Sequence, residues 1–109
     1  MDRITEPAKI TQMDIGLEDH GSTFMWADFN YGGSGQGFGF CGIDMEFIVG
    51  MLGVCDVDRL SQCVGKVVMV DHDNGKIYSV IPMKFSGGKP FDCEAWSLKQ
   101  REEEVHSLR

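Results

Sequence analysis

Glu18, Asp19 and His20 stand side by side before Gly21, and these are residue types that move protons. An imidazole titrates near neutrality, and neighbouring carboxylates tune it. Consecutive residues do not by themselves define a catalytic geometry, however, and no nucleophile stands out near them. The segment therefore reads as a solvated turn. A second unusual stretch is Gly32-Gly33-Ser34-Gly35-Gln36-Gly37-Phe38-Gly39. A phosphate-binding P-loop needs Lys followed by Ser or Thr, and this region supplies Phe and Cys instead. A dinucleotide-binding glycine pattern opens a helix, whereas this one runs into an aromatic strand. The glycines thus read as a hairpin tip or a site of close packing, with a partner-binding loop as the functional alternative. Asp28 can face that loop and cap its free amides.

The other reactive types give weaker patterns. Asp71, Asp73 and Gly75 fail as a calcium loop, because the sixth position is Lys76 and the twelfth is Pro82. A turn explains them, and His72 reads as a surface strand residue. Cys41, Cys55, Cys63 and Cys93 contain no CxxC pair and no zinc-finger spacing. Cys41 and Cys55 lie among apolar residues and read as core thiols. Cys63 sits near a helix end, where nothing lowers a thiol pKa. Nucleophilic cysteine chemistry therefore lacks support, with Cys93, which follows a candidate helix cap, as the better reactive outlier. Neither a metal nor a cofactor is expected.

The elements that must position these residues are legible as periodicities. A first strand is expected over 9–18, with Thr11, Met13, Ile15 and Leu17 on one face. A second covers 22–31, with Met25, Ala27, Phe29 and Tyr31 toward the core. Phe24, Trp26, Asp28 and Asn30 fall on its other, partly apolar face. Residues 38–43 form a third strand beyond the glycines. Asp44 caps a helix over 45–53, whose inward stripe is Met45, Ile48, Val49 and Leu52, widened by Phe47 and Met51. Gly53 stops it, and a short helical segment follows at 56–63. Strands over 66–72 and 76–83 flank an Asn74-Gly75 turn. Asp92 caps a last helix reaching toward Glu104. The expectation is an α+β domain of about five largely antiparallel strands with one main helix on the sheet. It occupies residues 1–98, and 99–109 form a charged extension or helix end.

Of the 109 residues, 42% are hydrophobic and 25% charged, a balance that suits a folded domain rather than a disordered tail. The net charge is −7 and uneven. Residues 1–58 hold ten Asp or Glu against Arg3 and Lys9, while residues 59–109 hold seven against eight Lys or Arg. Such a field repels phosphate backbones and attracts basic protein surfaces. The acidic residues Glu18, Asp19, Asp28, Asp44, Glu46, Asp56 and Asp58 are expected to form one negative patch beside the glycine-rich hairpin. The first residues lack the apolar core of a signal peptide, and no run approaches the roughly 18 apolar residues that cross a bilayer. A host-cell cytoplasmic setting is expected.

Ile15-Gly16-Leu17-Glu18-Asp19-His20-Gly21, followed by Tyr31-Gly32-Gly33-Ser34-Gly35-Gln36-Gly37-Phe38-Gly39, resembles a group of small uncharacterised phage and prophage proteins. Met45-Glu46-Phe47-Ile48, Gly65-Lys66-Val67-Val68 and Pro90-Phe91-Asp92 extend the resemblance over most of residues 9–92. Phe40-Cys41 and the segment beyond Trp96 depart from it. The resemblance implies a non-enzymatic accessory protein that binds a host protein, such as a member of a defence complex. It assigns no catalytic residue. On the residues themselves, partner binding is expected at Glu18, Asp19, His20, Trp26, Asp28, Gln36 and Phe38, toward a basic protein surface. Two alternatives stand beside it. One is a ligand-binding domain or enzyme built on the Glu-Asp-His turn and the glycine-rich hairpin; the other is a self-assembling, virion-associated protein.

Overall fold

The alternation of Met25, Ala27 and Phe29 with Trp26 and Asp28 builds the strand next to one edge of the sheet in the computed structural model. The structure describes residues 3–17, 19, 21–31, 35–73, 76–84 and 86–107, with side chains as far as Arg101. The chain runs β1 (Ile4–Leu17), β2 (Thr23–Asn30), β3 (Gly35–Cys41), α1 (Met45–Cys55), a 3₁₀ turn (Leu60–Cys63), β4 (Val67–His72), β5 (Ile77–Pro82), β6 (Phe91–Asp92) and α2 (Cys93–Ser107). It is an α+β domain. The strands form one antiparallel sheet in the order β3-β2-β1-β4-β5-β6, six among the described residues rather than five. The addition is the two-residue β6. Among the described residues no helix is long and apolar enough to cross a membrane.

β1 is long because it serves two neighbours. Residues 4–9 pair with β4 and residues 9–17 with β2, with a register shift between Ile10 and Gln12. The extra residue at Thr11 reverses which side chains face inward. Ala8 and Ile10 are buried before it and Met13 after it. The expected stripe is corrected at Thr11, which is exposed at the bulge; Ile15 and Leu17 share Met13's face but lie exposed near the strand's end.

Asp44 does cap α1, its carboxylate accepting from the Phe47 N–H at 2.9 Å. The helix passes Gly53 and ends at Asp56, whose φ of 55° is left-handed and whose N–H returns to Gly53 O. Phe47, Met51, Val54 and Cys55 form the buried stripe, while Met45 and Val49 are exposed and Ile48 and Leu52 half-buried. Nearly every position of this helix is apolar, so hydropathy alone cannot phase it.

Phe47 shows how the layers meet. Its ring lies 4.9 Å from Phe40 on β3, 5.1 Å from Phe91 on β6 and 4.7 Å from Trp96 on α2. The first and last strands of a flat six-stranded sheet would stand ~24 Å apart at the usual strand spacing. One ring can touch both only because the sheet curls around α1. The loop before β6 is fastened to the same helix, with Lys89 N–H donating to Gly53 O at 2.9 Å.

α2 begins at an Asp92 cap, whose carboxylate accepts from Ala95 N–H at 2.8 Å. Among its described side chains only Cys93 and Trp96 are buried, and Ala95 and Leu98 are exposed. The helix continues unbroken past residue 98. Lys99 pairs with Glu46 at 3.1 Å and Gln100 donates to Asp44 at 2.6 Å, so the start of the charged segment is tied to α1.

Candidate functional site on the outer sheet face

Opposite the helices, β1, β2 and β3 present a solvent-facing surface. Register places Asp14 and Gly39 on either side of Trp26, Gln12 and Gly37 beside Asp28, and Gly16 and Cys41 beside Phe24. Strand alternation puts all of these on the same face. Trp26 lies flat across β3. A Cβ at residue 37 would sit 2.7 Å from Trp26 Cε2 and 2.6 Å from Asp28 Oδ1, closer than packing allows. One at residue 39 would touch the indole at 3.4 Å. The glycines therefore make a bed for an aromatic ring, which is a close-packing role. The Phe24 ring lies over Gly16 in the same way, with Cε1 3.2 Å from where a Cβ would be.

Trp26 is also held by its edge. The indole Nε1–H donates to Asp28 Oδ1 at 2.9 Å, leaving the residue 40% exposed with a π-face toward solvent. Asp28 thus orients the indole, while the loop amides at 32–34 that it was expected to cap lie outside the described residues. Asp14, across the strand pair, accepts a hydrogen bond from Gln12 Nε2. Both carboxylates take these bonds from neutral donors. By contrast Asp71, Glu46 and Glu94 are paired with Arg3, Lys99 and Lys76. The arrangement is a fixed aromatic plate flanked by two carboxylates.

The expected site residues divide. Trp26 and Asp28 share this face. Phe38 does not: it is buried, pairs with Ala27 and packs edge-on against Phe29 inside the core, 5.9 Å between centroids. Its parity on β3 is that of the core, so it cannot insert into a partner. Gln36 pairs with Phe29 and belongs to the same inner parity. Asp19 is exposed in the β1–β2 turn, whereas Glu18 and His20 lie outside the described residues, as does the Asn74-Gly75 turn. Among the described residues the single acidic patch is not formed, since Asp44 and Asp56 cap opposite ends of α1 and Asp28 lies on the sheet. A 230 Å³ cavity between β3 and α2 and a 350 Å³ one beside Val49, Gly53 and Lys89 are lined by neither Asp19 nor Asp28. Among the described residues no three His, Cys, Asp or Glu gather as a metal site.

A buried polar cluster escaped the sequence reading. His72 is not a surface residue; it is 1% exposed, with Nε2 3.1 Å from Glu6 Oε2. The Tyr31 ring stacks on it at 4.7 Å. Burial first, then the Glu6 charge, pushes the Tyr31 phenol up to about 12, so it stays protonated at neutral pH. Its hydroxyl is enclosed and without a partner among the described residues. Glu6 on β1, His72 on β4 and Tyr31 just past β2 knit three strands together. The imidazole is too enclosed to meet a substrate. The alternation Val68, Val70, His72 held the signal for its burial, but Glu6 lies 66 residues away and nothing local announces the pair.

The cysteines also change places. Cys41 is exposed on the outer face, while Cys55, Cys63 and Cys93 are buried. Burial, followed by the neighbouring Asp92 charge, pushes the Cys93 thiol up to about 12. The Cys55 and Cys63 thiols share a hydrogen bond that, with burial, pushes the Cys55 thiol up. Thiolate reactivity needs both ionisation and access. Brief iodoacetamide treatment of the native protein should therefore modify Cys41 alone by mass spectrometry, with the other three labelled only after denaturation. Labelling of Cys93 before Cys41 would contradict this order. No family model, curated protein or solved structure matches the chain.

Proposed function

We propose that this domain is a non-enzymatic protein-binding module, and that its outer β1–β2–β3 face receives a basic side chain of the partner. The observation that carries the reading is Trp26: laid flat over Gly37 and Gly39, fixed by Asp28, and open on its solvent side. A guanidinium or ammonium group over an indole is attracted by the ring quadrupole, by about 0.5–1 kcal/mol at exposed sites and more when water is excluded. Asp14 and Asp28 add negative charge around the same ring. The glycine bed and the Nε1–Asp28 bond fix the plate before binding, which reduces the ordering cost. The chain's net charge of −7 steers a basic surface toward it. The resemblance to phage and prophage proteins supplies the setting of a host protein, such as a defence component that uses a basic surface for nucleic acid.

The test follows the Trp26 indole N–H resonance during titration with an arginine-containing peptide and with its citrulline counterpart. The arginine peptide should shift the resonance, and the neutral peptide should bind several-fold more weakly. Asp28→Asn keeps an acceptor for the indole but removes the charge, and should weaken the arginine peptide by about threefold to tenfold. The effect should shrink as salt rises. Equal shifts with both peptides, or no shift with either, would remove cation recognition from this face.

A further inference from the structure

β3 is an edge strand, and its register shows which of its backbone groups are free. Gly42 N–H donates to Thr23 O at 2.7 Å, so 42 and 23 are a hydrogen-bonded pair. Antiparallel ladders alternate, so Phe40, Phe38 and Gln36 turn their amides toward β2. The N–H and C=O groups of Gly35, Gly37, Gly39 and Cys41 point the other way. Gly35, Gly39 and Cys41 are exposed and Gly37 half-exposed. The strand carries none of the features that usually protect an edge: no charged residue, no proline and no bulge over Gly35–Cys41.

The space beside that edge is shaped for an occupant. The 230 Å³ cavity is lined by Phe38, Gly39, Phe40 and Cys41 in succession. Consecutive strand residues point to opposite faces, so four in a row can line one cavity only along their backbone edge. Ile77, Cys93 and Trp96 form much of its other wall, with Ser97 and with Lys76, whose ammonium pairs with Glu94 at 3.2 Å. This is the seam where the curled sheet fails to close.

We infer that a partner contributes an extended segment that adds to β3 as a seventh strand, with apolar side chains alternating with Arg or Lys. Strand addition uses main-chain bonds for affinity and alternate side chains for specificity. Inward side chains of the added strand would enter the cavity beside Phe38, Phe40, Ile77 and Trp96. Outward ones would lie beside Gly37 and Gly39, at the edge of the Trp26 plate and near Asp28, where a cation is complemented. The basic positions rest on the proposed role of the outer face; the strand addition rests on the free amides and the cavity. A second copy of this chain fits less well, because its own Phe38 is already buried in its own core and cannot fill the seam.

The probe is an acetylated, amidated seven-residue peptide of alternating Val and Arg. Hydrogen exchange should slow at Gly35, Gly37, Gly39 and Cys41 when it binds, and not at Gln36 or Phe38. Cys41→Pro removes an outward N–H while leaving the β2 ladder intact, and should weaken binding at least about tenfold. Should that variant unfold, peptides N-methylated on alternate residues give the same information. Methylation in one parity should abolish binding, and in the other should leave it. Binding that persists in Cys41→Pro and protects none of the four amides would overturn the added strand, while the cation-binding face would stand if Asp28→Asn still weakens it. Concentration-dependent protection of the same amides without peptide would make the occupant a second copy and overturn the peptide assignment. No binding in either assay would remove both readings.

Discussion

Phe47→Ala should lower the unfolding free energy by about 3–5 kcal/mol, the usual cost of removing a fully buried phenylalanine ring. Small domains have roughly 5–15 kcal/mol in total, so the variant should sit near the edge of folding. The reason is the position of the ring. It is fully buried and meets Phe40, Phe91 and Trp96, at centroid distances between 4.7 and 5.1 Å. Those residues come from the first strand, the last strand and the C-terminal helix of the curled sheet. No backbone ladder joins β3 to β6, so the ring substitutes for the hydrogen bonds that would close a barrel. Amide exchange should therefore accelerate in β3, β6 and α2 together, with β1 and β4 less affected. Phe47→Leu retains part of the contact and should cost less. Urea unfolding of the three proteins measures the difference. A loss below about 1 kcal/mol for the alanine variant would mean that the seam is held by something other than these rings.

How much of this architecture could be read from the chain depends on whether each pattern was local. β2 was legible because Met25, Ala27 and Phe29 alternate cleanly with polar or exposed positions. The Asp44 and Asp92 caps were legible because a cap is decided within three residues. β1 was misphased because a bulge at Thr11 changes parity, and Ala8, Ile10 and Met13 do not obey one period. The α1 stripe was hidden by its own hydrophobicity. The curl of the sheet had no local signature at all, since it depends on one phenylalanine meeting residues from both edges of the sheet.

The candidate face was half legible. Parity alone put Trp26 and Asp28 on one side of β2, and the glycines suggested close packing. What the sequence could not supply was the β2–β3 register, which sets Trp26 opposite Gly39 and lets its ring reach Gly37. That same register reveals Phe38 as a core residue. Phe38 and Phe40 alternate with glycines because the inner side needs rings and the outer side needs room for one. His72 shows the complementary failure, as its burial depends on Glu6 and Tyr31, which reach it from other strands.

Asp44→Ala should be the second most damaging change, because one carboxylate joins both helices. Its Oδ1 accepts from Phe47 N–H at 2.9 Å and from the Trp96 indole at 2.9 Å, and Oδ2 accepts from Gln100 at 2.6 Å. Loss of an N-cap costs about 0.5–2 kcal/mol. Leaving the Trp96 N–H enclosed without an acceptor adds about 1–3 kcal/mol, unless water reaches it. Asp44→Asn should cost less, since asparagine caps helices nearly as well and still offers one acceptor oxygen. The charge has its own signature. Burial pushes the Asp44 carboxyl upward, but the Phe47, Trp96 and Gln100 donors outweigh it and hold the group below the usual carboxylate range. Asp71 is likewise held low, chiefly by its bond to Arg3. A carboxyl lowered in the folded state stabilises fully above its unfolded pKa, and that contribution is lost as pH falls through the folded value. Stability should therefore be nearly flat from neutral pH to about 5 and decline below about 4 as these two carboxylates protonate. The decline should be shallower in Asp44→Asn, which has no carboxylate to protonate there. Thermal melts of wild type and both variants across this range measure it. An acid slope unchanged by Asp44→Asn, or an Asp44→Ala variant as stable as wild type, would show that the two helices are not joined through this side chain.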